Sequence, residues 1–293
     1  MNQDFEVVAK GPYSLGEGIM WDARVQRLSW IDINEKKLVW QQDGRTQEIE
    51  LQGMPGTAVL TNDPNRILLC LDSGVVSFEF VSGTFASHLD FPEGAELRFN
   101  DGKCDPAGRL WVGTMHRDGK ENAGTLYRID PDFSIRPMLR DVTISNGLGW
   151  NAAGDQLYFI DSATRRIDAF DFDNANGEIS NRRTVNQVPE DWGYPDGMTI
   201  DAEDKLWVAH WNGACVARYD PESGQVLTRL ELPAPKVTSC WFGGEGLQTL
   251  FVTTALGSQD GGWADTEQFP LSGAVFAAQV GVSGVAVARF GQV

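Results

Sequence analysis

The sequence has few basic residues and no long apolar run. Its 293 residues include 24 Lys and Arg against 41 Asp and Glu, which gives a formal net charge of −17. A surface of this sign is repelled by phosphate backbones and by anionic lipid, so we expect neither nucleic acid nor membranes as partners. No window approaches the roughly 18 consecutive apolar residues that cross a bilayer. The opening segment, MNQDFEVVAK, lacks the basic and apolar regions of a secretory signal, and we expect a cytoplasmic protein.

Cysteine and histidine are also scarce. The four cysteines are scattered without a CxxC pair, so we expect reduced core residues, and nothing requires a disulfide. No GxSxG, HExxH, P-loop or dinucleotide-binding motif occurs. Of the three histidines, His116 and His210 each end a strand-like segment, which leaves open whether one of them lines a binding site. The sequence therefore lacks the common serine-hydrolase, zinc-protease and nucleotide-binding signatures.

What recurs instead is a polar or glycine-rich turn followed by a short apolar strand. The first apolar residues of six such strands are 39 to 49 positions apart, at Leu28, Ile67, Leu110, Leu157, Leu206 and Leu250. A second hairpin follows most of these strands, with turn sequences such as Asp43-Gly44 and Asp220-Pro221. This period, without any long helical periodicity, predicts six units built from antiparallel strands.

Six such units fill the whole chain. They predict one all-β domain over residues 1–293, a six-bladed β-propeller whose blades are four-stranded antiparallel sheets. A β-sandwich would need fewer and less regular units, and a parallel α/β fold would need helices that the sequence does not suggest. The segment 4–8 precedes the first unit. We expect it to pair with strands from residues 273–290, because this pairing would join the two ends of the chain and remove open sheet edges.

One polar position recurs five residues before the Asp or Asn that opens each turn. It is occupied by Glu17, Thr57, Asn100, Asn146 and Asp196, and by Thr238 or Ser239 in the sixth unit. These residues begin the innermost strand of each predicted blade, so we expect them to converge on the propeller axis. Each carries a side-chain oxygen, and two inward carboxylates would repel each other without a partner. A hard cation such as calcium accepts these ligands, so the pattern predicts a cation site.

A simpler interpretation is open for each of these positions taken alone, namely that the residue begins a strand and bonds to the neighbouring backbone. The common register of all six favours the cation site. Arg98 lies two residues before Asn100, so both point to the same face of an extended strand. Its guanidinium would suit a substrate carbonyl or hydroxyl beside the cation, and the alternative is an ion pair with Glu93 or Glu96.

Several longer motifs carry a family resemblance. They are SLGEGIMWD (14–22), RFNDGKCDPAGRLWVGTM (98–115), ISNGLGW (144–150), ISNRR (179–183), PDGMTIDAEDKLWVA (195–209) and TSCWFGG (238–244). With these motifs the chain resembles the regucalcin/gluconolactonase-like family of senescence marker protein and sugar lactonases. The resemblance spans almost the full length. It implies a six-bladed propeller that hydrolyses sugar lactones with one divalent metal ion, as a carboxylic-ester hydrolase.

The resemblance also implies roles for individual residues. By motif position, Glu17, Asn146 and Asp196 bind the metal, and Asp196 is the acid–base residue. Arg98 and Asn100 bind the substrate. In several members a Glu beyond the third turn helps to bind the sugar, and Asp118 is its nearest equivalent in this sequence.

The cofactor and partner follow from the same resemblance. Calcium is the favoured metal, with zinc, manganese, magnesium and iron as alternatives. The expected partner is a small sugar lactone, bound by a monomer or a weak homodimer.

Two other functions stay open at this point. The same site could act on an organophosphate or an aryl ester, since both are electrophiles that water can attack. A different class is a non-catalytic propeller that binds calcium or serves as an interaction scaffold. A scaffold needs no inward ring of acid and amide side chains, so the ring counts against it.

Overall fold

The computed structural model of the protein describes residues 5–91, 95–258 and 262–291, which form short antiparallel strands joined by tight turns. No α-helix occurs in those ranges, only short 3-10 turns. Six sheets of four strands stand around one axis, so the chain is a six-bladed β-propeller, as the repeat predicts.

The strands follow one another blade by blade along the chain, after a first strand β1 (Glu6–Ala9). Blade 1 contains β2 (Gly16–Asp22), β3 (Arg27–Asp32), β4 (Lys37–Gln42) and β5 (Arg45–Glu50). Blade 2 contains β6 (Pro55–Leu60), β7 (Arg66–Leu71), β8 (Gly74–Glu79) and β9 (Thr84–Asp90). Blade 3 contains β10 (Leu97–Cys104), β11 (Leu110–His116), β12 (Gly124–Ile129) and β13 (Ile135–Val142).

The second half of the chain continues this order. Blade 4 contains β14 (Ser145–Trp150), β15 (Gln156–Asp161), β16 (Arg166–Asp173) and β17 (Glu178–Gln187). Blade 5 contains β18 (Tyr194–Ile200), β19 (Leu206–Trp211), β20 (Cys215–Tyr219) and β21 (Val226–Glu231). Blade 6 contains β22 (Val237–Gly243), β23 (Thr249–Thr254), β26 (Val275–Gln279) and β1, and a small hairpin of β24 (Gly257–Ser258) and β25 (Gly262–Trp263) interrupts it.

The apolar repeat of the sequence forms the second strand of every blade. Its six marker residues, from Leu28 to Leu250, are at most 3% exposed. Three tryptophans on these strands, Trp30, Trp111 and Trp207, are no more than 1% exposed and pack as blade core. Burial of apolar side chains between neighbouring sheets is the main force that holds the blades together. The four cysteines, all within the described ranges, are buried and free of disulfides, as expected.

The turns also match their sequences. Between β4 and β5, Asp43 and Gly44 have φ angles of 52° and 72°. Both central residues of a type I′ hairpin turn need positive φ, which Asp and Gly tolerate best. Tight turns of this kind fix the strand register locally, and the long-range order of the blades then follows from packing.

The first strands of the six blades line the central channel. Around the axis, β2 contacts β6, β6 contacts β10, and the series continues through β14, β18 and β22 back to β2. The ring of oxygen-bearing residues predicted from the sequence lies on these six strands. Residues that are as much as 222 positions apart in the chain are therefore neighbours at the axis, as when Thr238 Oγ1 donates to the carbonyl of Gly16.

The sixth blade joins the two ends of the chain. Strand β1 pairs antiparallel with β26, with Glu6 opposite Ala277 and Val7 opposite Phe276, and this confirms the predicted closure. Only part of the predicted C-terminal run is strand, however. Residues 283–291, here called the C-terminal strap, cross from blade 5 to blades 2 and 3. Bridges join Gly284 to Asp201 and Phe290 to Thr61, and the N–H of Gly291 donates to the carbonyl of Gly108 at 2.9 Å. No helix in the described part of the chain is long and apolar enough to cross a membrane.

Candidate active site

A β-bulge interrupts each of the six inner strands at the position of the predicted ring. The register shifts fall at Glu17–Met20, Pro55–Thr57, Phe99–Gly102, Ser145–Leu148, Pro195–Met198 and Val237–Ser239. A bulge leaves a residue unpaired, bends the strand and re-aims its side chain. The common polar position in the sequence is therefore the place where each inner strand departs from regular pairing.

Five of the six predicted site residues line one cavity of about 350 Å³ at one end of the channel: Glu17, Arg98, Asn100, Asn146 and Asp196. The carboxyl of Asp196 and the two amides belong to residues that are 5–8% exposed. The five residues come from blades 1, 3, 4 and 5, so only the closed propeller brings them together.

Asp118 is the exception among the predicted residues. It is exposed in the turn after β11, where its backbone N–H donates to His116 Nδ1 at 3.1 Å, and it does not line the cavity. It belongs to the connection between β11 and β12. The structure thus gives Asp118 no contact with the other five, and its assignment as a substrate ligand has no support in this geometry.

A chain of hydrogen bonds fixes the amide of Asn146. Ser162 Oγ donates to the carbonyl of Pro195 at 2.7 Å, and a carbonyl can only accept. Ser162 Oγ must therefore accept its second bond, at 3.0 Å, from Asn146 Nδ2. This leaves Asn146 Oδ1 as an acceptor available to a cation. Ser162 lies just after β15 and was not identified from the sequence, because a lone serine at a strand end carries no recognisable pattern.

Asn100 has a different role from Asn146. Its Nδ2 donates to the carbonyl of Ser145 on the next blade at 2.7 Å, so its Oδ1 faces the other way and accepts from Arg98 Nη1 at 2.6 Å. The same Arg98 nitrogen donates to the carbonyl of Phe99 at 3.1 Å. Asn100 therefore orients Arg98 inside the cavity. Of the two ion-pair partners considered for Arg98, Glu93 lies outside the described residues.

The two carboxyl groups of the cavity resist ionisation. Burial and the nearby charge of Asp101 raise the pKa of Glu17 to about 8, against the smaller opposing effects of the Gly18 N–H and Arg98. Burial, Glu17 and Asp101 raise the pKa of Asp196 well above its usual range. Desolvated like charges of this kind are stabilised in their ionised form by a cation between them.

The donor set fits a hard divalent cation. Glu17, Asp196 and Asn146 Oδ1 offer oxygen only, which suits calcium, magnesium or manganese better than the softer metals. Within the described ranges no group of three or more His, Cys, Asp or Glu side chains is arranged for metal binding, and the candidate set contains only two carboxylates beside its amide.

The remaining ring positions bond to their neighbours. Thr57 Oγ1 donates to the carbonyl of Gly102 on the next inner strand at 3.0 Å, and Thr238 Oγ1 contacts Gly16 in the same way. For these two positions the simpler interpretation is correct. The ring therefore divides into residues that tie blades together and residues that face the cavity.

Apolar side chains, here called the apolar wall, complete the lining of the cavity around the polar residues. They are contributed by backbone-paired couples at the ends of strands: Leu15 with Ile33, Met115 with Ile144, and Tyr194 with Trp211. No sequence pattern predicts this wall, since each of its residues looks like an ordinary strand end.

Neither histidine that was singled out in the sequence lines the cavity. His116 is half-buried at the end of β11. His210 is fully buried, and its Nδ1 donates to the carbonyl of Trp192 at 3.0 Å while Tyr219 OH lies 2.9 Å from Nε2. Burial lowers the pKa of His210 to about 4, so it is neutral and structural.

Glycines next to the ring residues allow the inner strands to approach one another. A Cβ atom on Gly147 would lie 2.6 Å from the carbonyl oxygen of Asp196, well inside contact distance. We expect Gly147→Ala to separate β14 from β18 and to lower Tm by about 3–8 °C. Gly149→Ala is the matched control, because its Cβ would meet only the flexible side chain of Ile200, at 3.0 Å or more. Thermal melts of the two variants would test this, and equal losses of Tm would contradict it.

Comparison with known proteins agrees with this architecture. Residues 15–256 match the family model described as the SMP-30/Gluconolactonase/LRE-like region. Regucalcin of Xenopus laevis is 36% identical over 294 residues, covering 97% of each chain. YvrE of Bacillus subtilis, named as a candidate sugar lactone lactonase, is 33% identical over 275 residues, covering 92% of each chain.

A solved structure gives the same result in three dimensions. The crystal structure of a calcium-binding protein, regucalcin, from Agrobacterium tumefaciens superposes with a TM-score of 0.90 at 26% identity, covering 100% of this chain and 98% of that one. The motifs, the blade architecture and the matched length all agree, and the chain belongs to the SMP-30/gluconolactonase/LRE-like family.

Proposed function

We propose that the protein is a metal-dependent hydrolase that opens a sugar lactone to its aldonic acid. The observation that carries the proposal is the shared cavity, in which Glu17, Asn146 and Asp196 offer cation ligands beside the Arg98–Asn100 pair. Membership of a family that is named partly for gluconolactonase supports the substrate class. The names of the regucalcin relatives and of the calcium-binding neighbour support calcium as the metal.

Arg98 would hold the substrate. Its guanidinium is fixed by Asn100, and the amide of Asn100 is fixed in turn by the backbone of blade 4. A preorganised fork of N–H donors can bind the ring oxygen or a hydroxyl of the lactone without losing further side-chain entropy. The Arg98–Asn100 pair would therefore orient the carbonyl carbon of the lactone toward the other polar residues of the cavity.

Asp196 would act as the general base. It accepts a proton from the attacking water as the water oxygen bonds to the lactone carbonyl carbon. The C–O bond of the ring then breaks, and the proton passes to the departing ring oxygen, which becomes the new hydroxyl group. Glu17, Asn146 and Asp196 would hold a divalent cation, which would polarise the carbonyl group and stabilise its developing negative charge.

One observation supports each of the two alternative functions. The apolar wall around Met115, Ile144 and Trp211 would also accept an aryl ester or an organophosphate. A calcium-binding scaffold is consistent with the printed name of the Agrobacterium neighbour. The preorganised Arg98–Asn100 pair favours a hydrolase over the scaffold, because a protein that only binds a cation has no use for it.

A substrate panel tests the proposal directly. Proton release would be followed by pH-stat with pentono- and hexonolactones, phenyl acetate and paraoxon, after chelation and after addition of single divalent metals. We expect turnover of at least one lactone that is lost on chelation and restored by calcium. Turnover of phenyl acetate or paraoxon alone would contradict the lactone proposal and favour an ester or organophosphate hydrolase. The absence of turnover with any metal would favour the non-catalytic scaffold.

A further inference from the structure

Asp196 lies in the bulge of β18, where the regular pairing with β19 is interrupted. On β18, Pro195 pairs with His210 and Met198 pairs with Val208, while Asp196 and Gly197 between them are outside the regular ladder. A bulge leaves a residue unpaired and disrupts the ladder locally, so contacts from outside the sheet can help to fix its shape. Both flanking carbonyls of this bulge are held by side chains from other blades.

The first carbonyl is held from blade 4. Ser162 Oγ donates to Pro195 O at 2.7 Å, in the same chain of bonds that fixes Asn146. Ser162 is 5% exposed, so this bond is shielded from competing water.

The second carbonyl is held from blade 3, across the channel. Lys103 Nζ donates to Met198 O at 2.6 Å, which links β10 to β18 past the intervening strand β14. The ammonium group also lies 4.8 Å from the ring centroid of Trp241 on β22. One lysine thus contacts blades 5 and 6 from blade 3. A charged donor in such a channel makes a short and strong hydrogen bond.

Asp101 is the countercharge of this lysine. Burial lowers the pKa of Lys103, and the nearby carboxyl of Asp101 opposes that effect. The two residues flank Gly102 on β10, and both line a smaller cavity together with Met198 and Trp241. Lys103 does not line the cavity of the predicted ligands, so it does not contact a substrate there.

We propose that Lys103 is a positioning residue that works with Ser162 to clamp the Pro195–Met198 bulge and so to aim Asp196. The inference rests on the proposed function, since it concerns how the same carboxylate is presented to cation and substrate. It is separable from a purely electrostatic role. Loss of a positive charge near the site would raise cation affinity by Coulomb's law, whereas loss of the clamp lowers it.

Calorimetric titration of the chelator-treated full chain with Ca²⁺ separates the two roles. We expect Lys103→Met to weaken Ca²⁺ binding by about 10–100-fold and to lower kcat by a similar factor, with KM changed less than about threefold. Lys103→Arg keeps a donor to Met198 O and should recover most of the affinity. Ser162→Ala should weaken binding in the same direction. Lys205→Met is the matched control, because Lys205 pairs with Asp220 on the surface at 2.8 Å, and it should have no effect.

Several results would overturn the inference. They are unchanged or tighter Ca²⁺ binding in Lys103→Met, or equal weakening in Lys103→Arg and Lys103→Met. If Lys103→Met does not fold, Lys103→Gln takes its place in the titration. If the wild type binds Ca²⁺ but opens no lactone, the hydrolase proposal fails while the affinity series still tests the clamp. If the wild type binds no Ca²⁺, crystal structures of the wild type and Lys103→Gln decide, and an unmoved Asp196 carboxyl rejects the clamp.

Discussion

Replacement of Asp196 by Asn is expected to lower kcat for lactone opening by about 10²–10⁴-fold, the usual contribution of a general base. Asparagine keeps the size and the planar shape of the side chain, but its amide group cannot take a proton from water. Asp196 is 6% exposed, and Glu17, itself a proposed cation ligand, is the only other carboxylate among the described residues that line the cavity. Initial rates by pH-stat at saturating lactone and calcium would measure the effect.

Asp118→Asn is the matched control for this experiment. It makes the same chemical change at a carboxylate that was predicted to bind the substrate but is exposed outside the cavity. We expect its kcat and KM to stay within about twofold of the wild type, as for most surface substitutions. Full activity in Asp196→Asn would remove the general-base assignment. A large rise of KM in Asp118→Asn would restore that residue as a substrate ligand.

Removal of the cation is expected to make the stability of the protein fall as the pH rises. The pKa of Glu17 is raised from 4.5 to about 8 by burial and by Asp101, and that of Asp196 is raised as well. The folded state therefore binds protons that the unfolded state has already released in this interval. Stability from this source is complete below about pH 4.5 and is lost as the pH approaches 8, because both carboxyls must then ionise side by side.

Thermal melts of the chelated protein between pH 5 and 9 would measure this loss. Each unit of pKa shift corresponds to about 1.4 kcal/mol, so we expect Tm to fall by about 5–10 °C across the range. Calcium should cancel the fall, since a bound cation stabilises the ionised carboxylates. Glu17→Gln should flatten the pH dependence without calcium. A chelated protein whose Tm does not depend on pH in this range would contradict the buried like charges.

Much of the fold was predictable because its determinants are local. The apolar strands beginning at Leu28 through Leu250 and turns such as Asp43-Gly44 are set by side-chain period and backbone preference, which a sequence displays directly. The closure by β1 and β26 was predictable for a related reason, since a propeller leaves one terminal segment without a blade. The C-terminal strap was not, because its residues bond to loops of distant blades through backbone groups that have no sequence signature.

The ring residues that line the cavity were predictable from the sequence, and the residues that bond to the backbone beside them were not. A position that recurs in six repeats identifies the ring even when its residue type changes, and Glu17, Asn100, Asn146 and Asp196 do line one cavity. The bonding residues are single residues outside the repeat. Ser162 and Lys103 donate hydrogen bonds to carbonyl oxygens on another blade, at 2.7 and 2.6 Å, and no spacing along the chain encodes such a contact.

The sequence by itself determined the number of blades, the family and the ring of polar positions at the axis. The blades and the ring depend on periodicity and local turn chemistry, and the family depends on a resemblance carried by longer motifs. Only the tertiary structure decided which ring members face the cavity, that Asp118 does not line it, and which side chains bond to the carbonyl groups on either side of Asp196. The physical reason is that a bulge aims its side chain according to contacts from neighbouring blades, and those contacts exist only after the ring has closed.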